Sequence, residues 1–217
     1  MQTEIIPANH DQAIQRALEV LGRGGLMAFP TDTVYGLGAL AFDSKAVESI
    51  YLAKDRPIEK AIPVLIGDAT DLEKISDGVP EVARKLAARF WPGPLTIIVP
   101  KKQTLPETVS ATSSVGVRVP DHPVARELLR AAGPMAVTSA NISGQASPST
   151  AQEVLDQLNR RIELIIDGGQ TPGGIPSTLV DCSGDEIKVL REGPISLEQI
   201  LSALGENSNL TFNRRSD

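Results

Sequence analysis

The chain has 217 residues, of which 41% are hydrophobic and 22% charged, with a net charge of -6. The length allows one large or two small domains with a buried core, and the composition is that of an ordinary globular protein. An acidic total argues against a surface devoted to nucleic acid; a lone cysteine, Cys182, excludes an internal disulfide and a cysteine metal cluster, and two distant histidines, His10 and His122, do not suggest a zinc site. No run approaches the roughly 18 apolar residues of a membrane span. The start, MQTEIIPANH, is neither basic nor apolar enough for a secretory signal, so a reducing cytoplasm is the expected compartment.

In chain order, Asn9 can cap a first helix, with Gln12 three residues on. Ile14, Ala17, Leu18 and Leu21 form its stripe and Gly22 suits its end. A strand over residues 26–29 stops at Pro30. Thr31, Asp32, Thr33, Tyr35, Gly36 and Gly38 follow it, where ligands of α/β proteins tend to bind and where glycine lets backbone N–H groups approach an anion. Taken alone, the stretch also reads as a glycine-rich turn. Asp43 or Ser44 caps a second helix burying Val47, Ile50 and Tyr51. Pro57 pushes Arg56 out of helical geometry, so Lys54 and Arg56 sit at a helix exit. Residues 62–66 read as a buried strand. Pro80 opens a third helix carrying Val82, Leu86 and Phe90, and WPGPLTIIVP turns into a strand over 95–99.

Residues 101–114 form a Thr- and Ser-rich loop, and 115–119 a strand that carries Arg118. Pro123 begins a fourth helix with Val124, Leu128 and Leu129 inward. A short strand over 135–137 leads into Thr138-Ser139-Ala140-Asn141. Thr150 and Glu153 form a capping box for a fifth helix, and residues 162–166 a strand ended by Asp167-Gly168-Gly169. Beyond the loop QTPGGIPST come strands over 179–182 and 187–190. Ser196 and Gln199 cap a last helix that ends at Gly205, and residues 206–217 read as a polar, disordered tail. Interleaved strands and helices place the chain in the α/β class, with an open, twisted, mixed sheet covered by helices, in one domain over 1–205.

Polar groups recur just past the expected strands and helix ends: Thr31 and Thr33, Lys54 and Arg56, Lys60, Thr138 with Ser139 and Asn141, Ser177 and Arg191. Arg118 lies inside an apolar strand, where an unpaired guanidinium is costly, so it either meets a ligand or pairs with Asp32 or Asp121. Lys54 and Arg56 are equally readable as cations at a helix C-terminus. His122 before Pro123 reads as a cap, Cys182 as a buried thiol and Trp91 as a packing anchor. No serine triad or phosphate-binding Gly-x-x-x-x-Gly-Lys-Ser/Thr loop is present. The residues by themselves reach a cationic, hydroxyl-lined anion pocket, with substrate and reaction open.

The joint pattern is more specific. PTDTVYGLGA, KDRP, FWPGPLT, VGVRVPDHP, TSANISG, DGG and LREGP occur in that order. The series resembles the YrdC-like threonylcarbamoyl-AMP synthase family in its single-domain form, over nearly the whole chain. The resemblance implies an open α/β sheet around a large cationic cavity. It also implies a cytoplasmic enzyme that joins L-threonine, bicarbonate or CO2, and ATP into threonylcarbamoyl-AMP and pyrophosphate. A downstream transferase complex would pass the product to tRNA, with tRNA contact indirect. By resemblance, Lys54, Arg56, Ser139 and Asn141 face the nucleotide phosphates, with Lys54 and Arg56 catalytic. Thr33, Arg118, Thr138 and Ser177 hold threonine, Arg118 through the α-carboxylate; Lys60, Ser114, Ala140 (by its backbone) and Arg191 hold ATP. No protein metal site is expected: Mg2+ arrives with ATP.

Many members read NPLIVHI where this chain has KAIPVLI. Lys60 thus replaces an Asn and offers a phosphate contact, and Leu65 stands where a threonine-contacting His often lies. The competing readings are an RNA- or nucleotide-binding module of the same fold without synthase activity, and a carbamoyl-transfer domain. Residues 168–177, rich in Gly and Pro, are the natural lid candidate.

Overall fold

The computed structural model describes residues 2–205, and the expected polar tail lies outside them. Ten strands form one sheet: β1 (Glu4–Pro7), β2 (Met27–Phe29), β3 (Gly36–Leu40), β4 (Val64–Leu65), β5 (Leu95–Pro100), β6 (Ser114–Arg118), β7 (Met135–Ser139), β8 (Leu164–Asp167), β9 (Thr178–Asp181) and β10 (Lys188–Arg191). Their spatial order is β1-β8-β2-β3-β7-β4-β6-β5-β9-β10. The sheet is mixed: β8 is parallel to β1 and β2, β4 to β6 and β5 to β9, whereas β3 is antiparallel to both β2 and β7.

Among the described residues there are seven α-helices, six between strands and the last after β10: α1 (Ala13–Gly22), α2 (Ser44–Lys54), α3 (Leu72–Ile75), α4 (Glu81–Phe90), α5 (Pro123–Ala132), α6 (Ala151–Leu158) and α7 (Leu197–Leu204). No described helix is long and apolar enough to cross a membrane. The Asp43 carboxylate caps α2 by accepting from Ala46 N at 3.0 Å, and Asp55, with φ 52°, ends the helix in the left-handed region. Ser196 and Gln199 complete a reciprocal box at the start of α7. Only half of the expected box forms on α6. Thr150 accepts from Glu153 N, but the Glu153 carboxylate reaches back to Ser149 N at 2.6 Å instead. Asn9 does not cap α1, which begins after Gln12; the Gln12 N–H donates to His10 Nδ1.

Alternation along each strand divides the core in two. Leu37, Ala39, Val64, Ile97, Val117, Ala136 and Ile165 point to one face, where α2, α4, α6 and α7 cover them. Met27, Phe29, Leu65, Met135, Val137, Leu164 and Ile166 point to the other, beneath α1 and α5. Each fully buried Leu, Ile or Phe contributes about 1.5–3 kcal/mol of apolar transfer. The second helix layer supplies no cover beyond β4. Over β6, β5 and β9 the same face is left as the floor of a cavity, and its upward residues are Arg118, Gly116, Thr96, Ile98 and Leu179.

Three features differ from the expectation. Gly36 and Gly38 belong to strand β3 rather than to an anion-binding turn, their backbones paired with β2 and β7. A Cβ on Gly36 would come within 2.7 Å of Val137 Cγ1, so packing across the sheet demands the glycine there. The β1 edge strand and the short α3 carry too little periodicity to be anticipated.

Candidate active site

The cavity has a volume of about 470 Å3, and its lining includes Thr33, Arg56, Arg118, Thr138, Ser139, Ser177 and Arg191. Seven of the expected site residues therefore converge from six separate segments of the chain. Each is placed by a strand end or by a loop tied to one.

Arg118 ends β6 and is almost wholly buried. Its Nε donates to Gly93 O at 3.0 Å, Nη1 to Thr33 Oγ1 at 3.1 Å and Nη2 to Asp32 Oδ1 at 2.5 Å. The ion pair anticipated for it is therefore formed, with Asp32. Burial pulls the guanidinium below its ordinary pKa, and the Asp32 charge opposes that pull. Three of the five N–H donors of an arginine are engaged, so two remain for a ligand. Thr31 gives its proton to Val34 O at 2.6 Å and lies 3.0 Å from Thr33 Oγ1, so Thr33 is the donor in that pair. Thr33 then presents a spare acceptor lone pair beside the Arg118 donors.

At the other side, Arg56 Nε and Nη2 donate to the carbonyls of Lys60 and Ala61 at 3.1 and 2.9 Å, which folds the side chain onto its own loop. Arg191 Nε donates to Ser177 O at 3.0 Å and Nη2 to Ser177 Oγ at 3.3 Å. Burial lowers the pKa of Arg56, and burial with the nearby Arg118 charge lowers that of Arg191. Three guanidinium groups thus line one cavity, and Asp32 is the one carboxylate ion-paired to any of them among the described residues. Such a lining suits a ligand that carries several negative charges.

Five expected residues do not line the cavity. Lys54 is 1% exposed and its Nζ donates to the backbone carbonyls of Ser139 and Asn141. Burial, with the charge of Arg56, brings its pKa down to about 7. A neutral amine still has two N–H donors, enough for both carbonyls, so the clamp survives loss of the proton. Ala140 N donates to Tyr35 O at 2.9 Å and is already spent within the protein. Asn141 donates Nδ2 to the carbonyls of Ile142 and Gln145, which fixes the turn, while its buried Oδ1 has no partner. Ser114 is half-buried at the start of β6, and the Lys60 side chain is exposed, away from the lining.

Sequence reasoning missed two polar lining residues, Thr96 and Ser147. Thr96 carried a usable signal, a hydroxyl within the apolar run LTIIV on the side opposite the core residues Leu95 and Ile97. Residues 168–177 are tied down at several points: Tyr35 Oη donates to Gly169 O at 2.7 Å, Thr171 N to Ser149 O at 2.9 Å and Gly173 N to Thr33 O at 2.7 Å. His122 occupies the N-cap position of α5, but its ring makes no capping bond. Cys182 is buried, as read from the sequence, and its thiol is pushed up to about 12, chiefly by burial, which disfavours the reactive thiolate.

The family model for the Sua5/YciO/YrdC domain, described as "Telomere recombination", matches residues 19–193. A threonylcarbamoyl-AMP synthase of Bacillus subtilis is 43% identical over 91% of the chain and 58% of its own length. The structure of Pyrococcus abyssi Sua5 complexed with L-threonine superposes with a TM-score of 0.92 at 39% identity, covering 97% of this chain and 63% of that one. Escherichia coli YciO superposes with a TM-score of 0.83 at 31% identity, over 92% of this chain and 100% of its own. The chain spans a little over half the length of the Bacillus and Pyrococcus synthases. Matched over most of its length in both sequence and structure, the chain belongs to the Sua5/YciO/YrdC family.

Proposed function

We propose that this protein is an L-threonylcarbamoyl-AMP synthase. The observation that carries the reading is the convergence of Arg56, Arg118 and Arg191 with the Thr33, Ser139 and Ser177 hydroxyls on one cavity. The names of its relatives support it, as does the L-threonine bound to the Pyrococcus homologue. In this reading Arg118 offers its two remaining donors to the α-carboxylate of threonine. Thr33 supplies the acceptor and Thr138 and Ser177 complete the amino-acid end. The threonine ammonium gives one proton to solvent, and the neutral amine attacks CO2. As the N–C bond forms, one C=O π bond opens onto oxygen and the second proton leaves to solvent, which gives a carbamate. A carbamate oxygen then attacks the α-phosphate of ATP, and the bond to the bridging oxygen breaks to release pyrophosphate.

Arg56, Arg191 and Ser139 meet the charge of the triphosphate and of the five-coordinate phosphorus, a task that preorganised donors perform well. Lys54 and Asn141 serve the nucleotide end by fixing the 139–141 turn, and Ala140 by packing within it. Ser114 and Lys60, neither of them in the cavity lining, would meet ATP only outside it. Among the described residues no group of three or more His, Cys, Asp or Glu is arranged to hold a metal. The cavity lining offers guanidinium groups and hydroxyls, which suit a triphosphate, and Mg2+ would be held by the phosphate oxygens, where it would supply charge neutralisation. The product would pass to a transferase that modifies tRNA in the cytoplasm, and this chain would meet tRNA only indirectly. The test is threonine-dependent release of pyrophosphate from ATP in the presence of bicarbonate. Nucleotide binding without that release would favour the non-synthetic module.

A further inference from the structure

Thr96 and Ser177 stand side by side on the cavity floor, Oγ1 to Oγ at 2.8 Å, both nearly buried and both lining the cavity. Ser177 Oγ also lies 3.3 Å from Arg191 Nη2, and a guanidinium can only donate, so Ser177 accepts there. Among the described residues neither hydroxyl has another hydrogen-bond partner. The pair holds two protons. One is spent in the mutual bond and the other has no acceptor within the protein. It must be offered to whatever fills the cavity.

The backbone of Ser177 has no freedom to settle which proton that is. A Cβ on Gly193 would stand 2.5 Å from both Pro176 O and Thr178 N, so the Gly193 backbone braces Ser177 from behind. Thr178 Oγ1 donates to Ile195 O at 2.7 Å, which ties the next residue to the same segment. What remains is the rotation of the Ser177 hydroxyl. When Thr96 donates to Ser177, both acceptor positions of Ser177 are filled, one by Thr96 and one by Arg191. Its own proton is then directed at the ligand, and the guanidinium bond makes it a stronger donor.

We infer that Thr96 is a positioning residue that orients the Ser177 hydroxyl as an obligate donor to the carboxylate of the bound amino acid. The inference rests on the reading of this cavity as an amino-acid site. It explains why a hydroxyl interrupts the apolar strand β5 on its cavity side. It also gives the motif LREGP a second duty, since Arg191 and Gly193 of that motif both act on Ser177.

The test is calorimetric titration of L-threonine and of ATP into the full-length protein and four variants. Thr96→Val keeps shape and loses the hydroxyl. L-threonine should bind it about fivefold to tenfold more weakly, as expected for one hydrogen bond, with ATP changed less than about twofold. Thr96→Ser should restore threonine binding. In a Ser177→Ala background, Thr96→Val should have no further effect on threonine, because its partner is gone. If Val does not fit, Thr96→Ala reads the same cycle. Unchanged threonine binding in the hydroxyl-free variant would overturn the inference. So would an equal further loss in the Ser177→Ala background, which would mean direct contact with the ligand. Absence of threonine binding by the wild type would overturn the amino-acid reading itself, and this assignment with it.

Discussion

Lys54 is the most testable single residue in the protein, because its burial makes its charge visible in stability. In the unfolded chain a lysine holds its proton to about pH 10.4, whereas in the folded protein burial beside Arg56 brings that value down to about 7. Between those values the unfolded state binds more protons than the native state, so stability rises with pH. At pH 6 both states are charged and the burial penalty is fully present; by pH 9 the folded amine is neutral and much of the penalty is gone. The difference between pH 6 and pH 9 is about 3 kcal/mol at 1.36 kcal/mol per pK unit. Lys54→Met removes the titrating group and keeps an unbranched side chain, but strands the Ser139 and Asn141 carbonyls. Each carbonyl left without a donor costs about 1–3 kcal/mol, which at pH 6 is offset by the vanished ammonium. Urea unfolding of both proteins at the two pH values isolates the effect. The wild type should gain about 3 kcal/mol over Lys54→Met as pH rises from 6 to 9. A difference that stays constant across that window would refute the argument, and with it the burial of a titrating amine beneath the 139–141 turn.

Arg56→Ala should lower turnover by at least about 100-fold, the scale of losing a charged transition-state donor. It gives up only two loop hydrogen bonds, to Lys60 and Ala61, so unfolding should shift by no more than about 2 kcal/mol; near-normal turnover would remove it from the phosphate end. Asp32→Asn leaves Arg118 buried without its counter-charge and should cost about 3–5 kcal/mol in thermal or urea unfolding. A loss below about 1 kcal/mol would show that the pair contributes little to folding. Gly193→Ala should displace Ser177 and weaken L-threonine binding in titration, since the added methyl meets backbone atoms that have nowhere to move. Unchanged binding would show that the 176–178 segment can yield.

The fold was largely legible because alternation and capping are local. Strands such as β5 and β7 announce themselves as apolar runs bounded by prolines or glycines, and the Ser196–Gln199 box appears as read. The glycines of β3 misled because glycine signals permissive backbone, and only the neighbouring strand shows that the permission is used for packing against Val137. The site was legible in its cations and hydroxyls but not in their division of labour. Lys54 looks like a phosphate ligand until its helix exit is placed under the carbonyls of Ser139 and Asn141. Whether a backbone N–H such as that of Ala140 is free depends on sheet pairing across more than a hundred residues. Thr96 marks the polar side of β5 in the sequence, but its partner shows only when β9, with Ser177 just before it, is seen beside that strand.

The central claim is that the cavity joins threonine, a one-carbon unit and the adenylyl group. The most direct measurement is mass spectrometry of a mixture of the purified protein with ATP, Mg2+, L-threonine and carbon-13 bicarbonate. Threonylcarbamoyl-AMP carrying a single labelled carbon should form in step with pyrophosphate and be absent when threonine is left out. A folded protein that binds ATP and threonine yet yields no labelled adduct would contradict that claim.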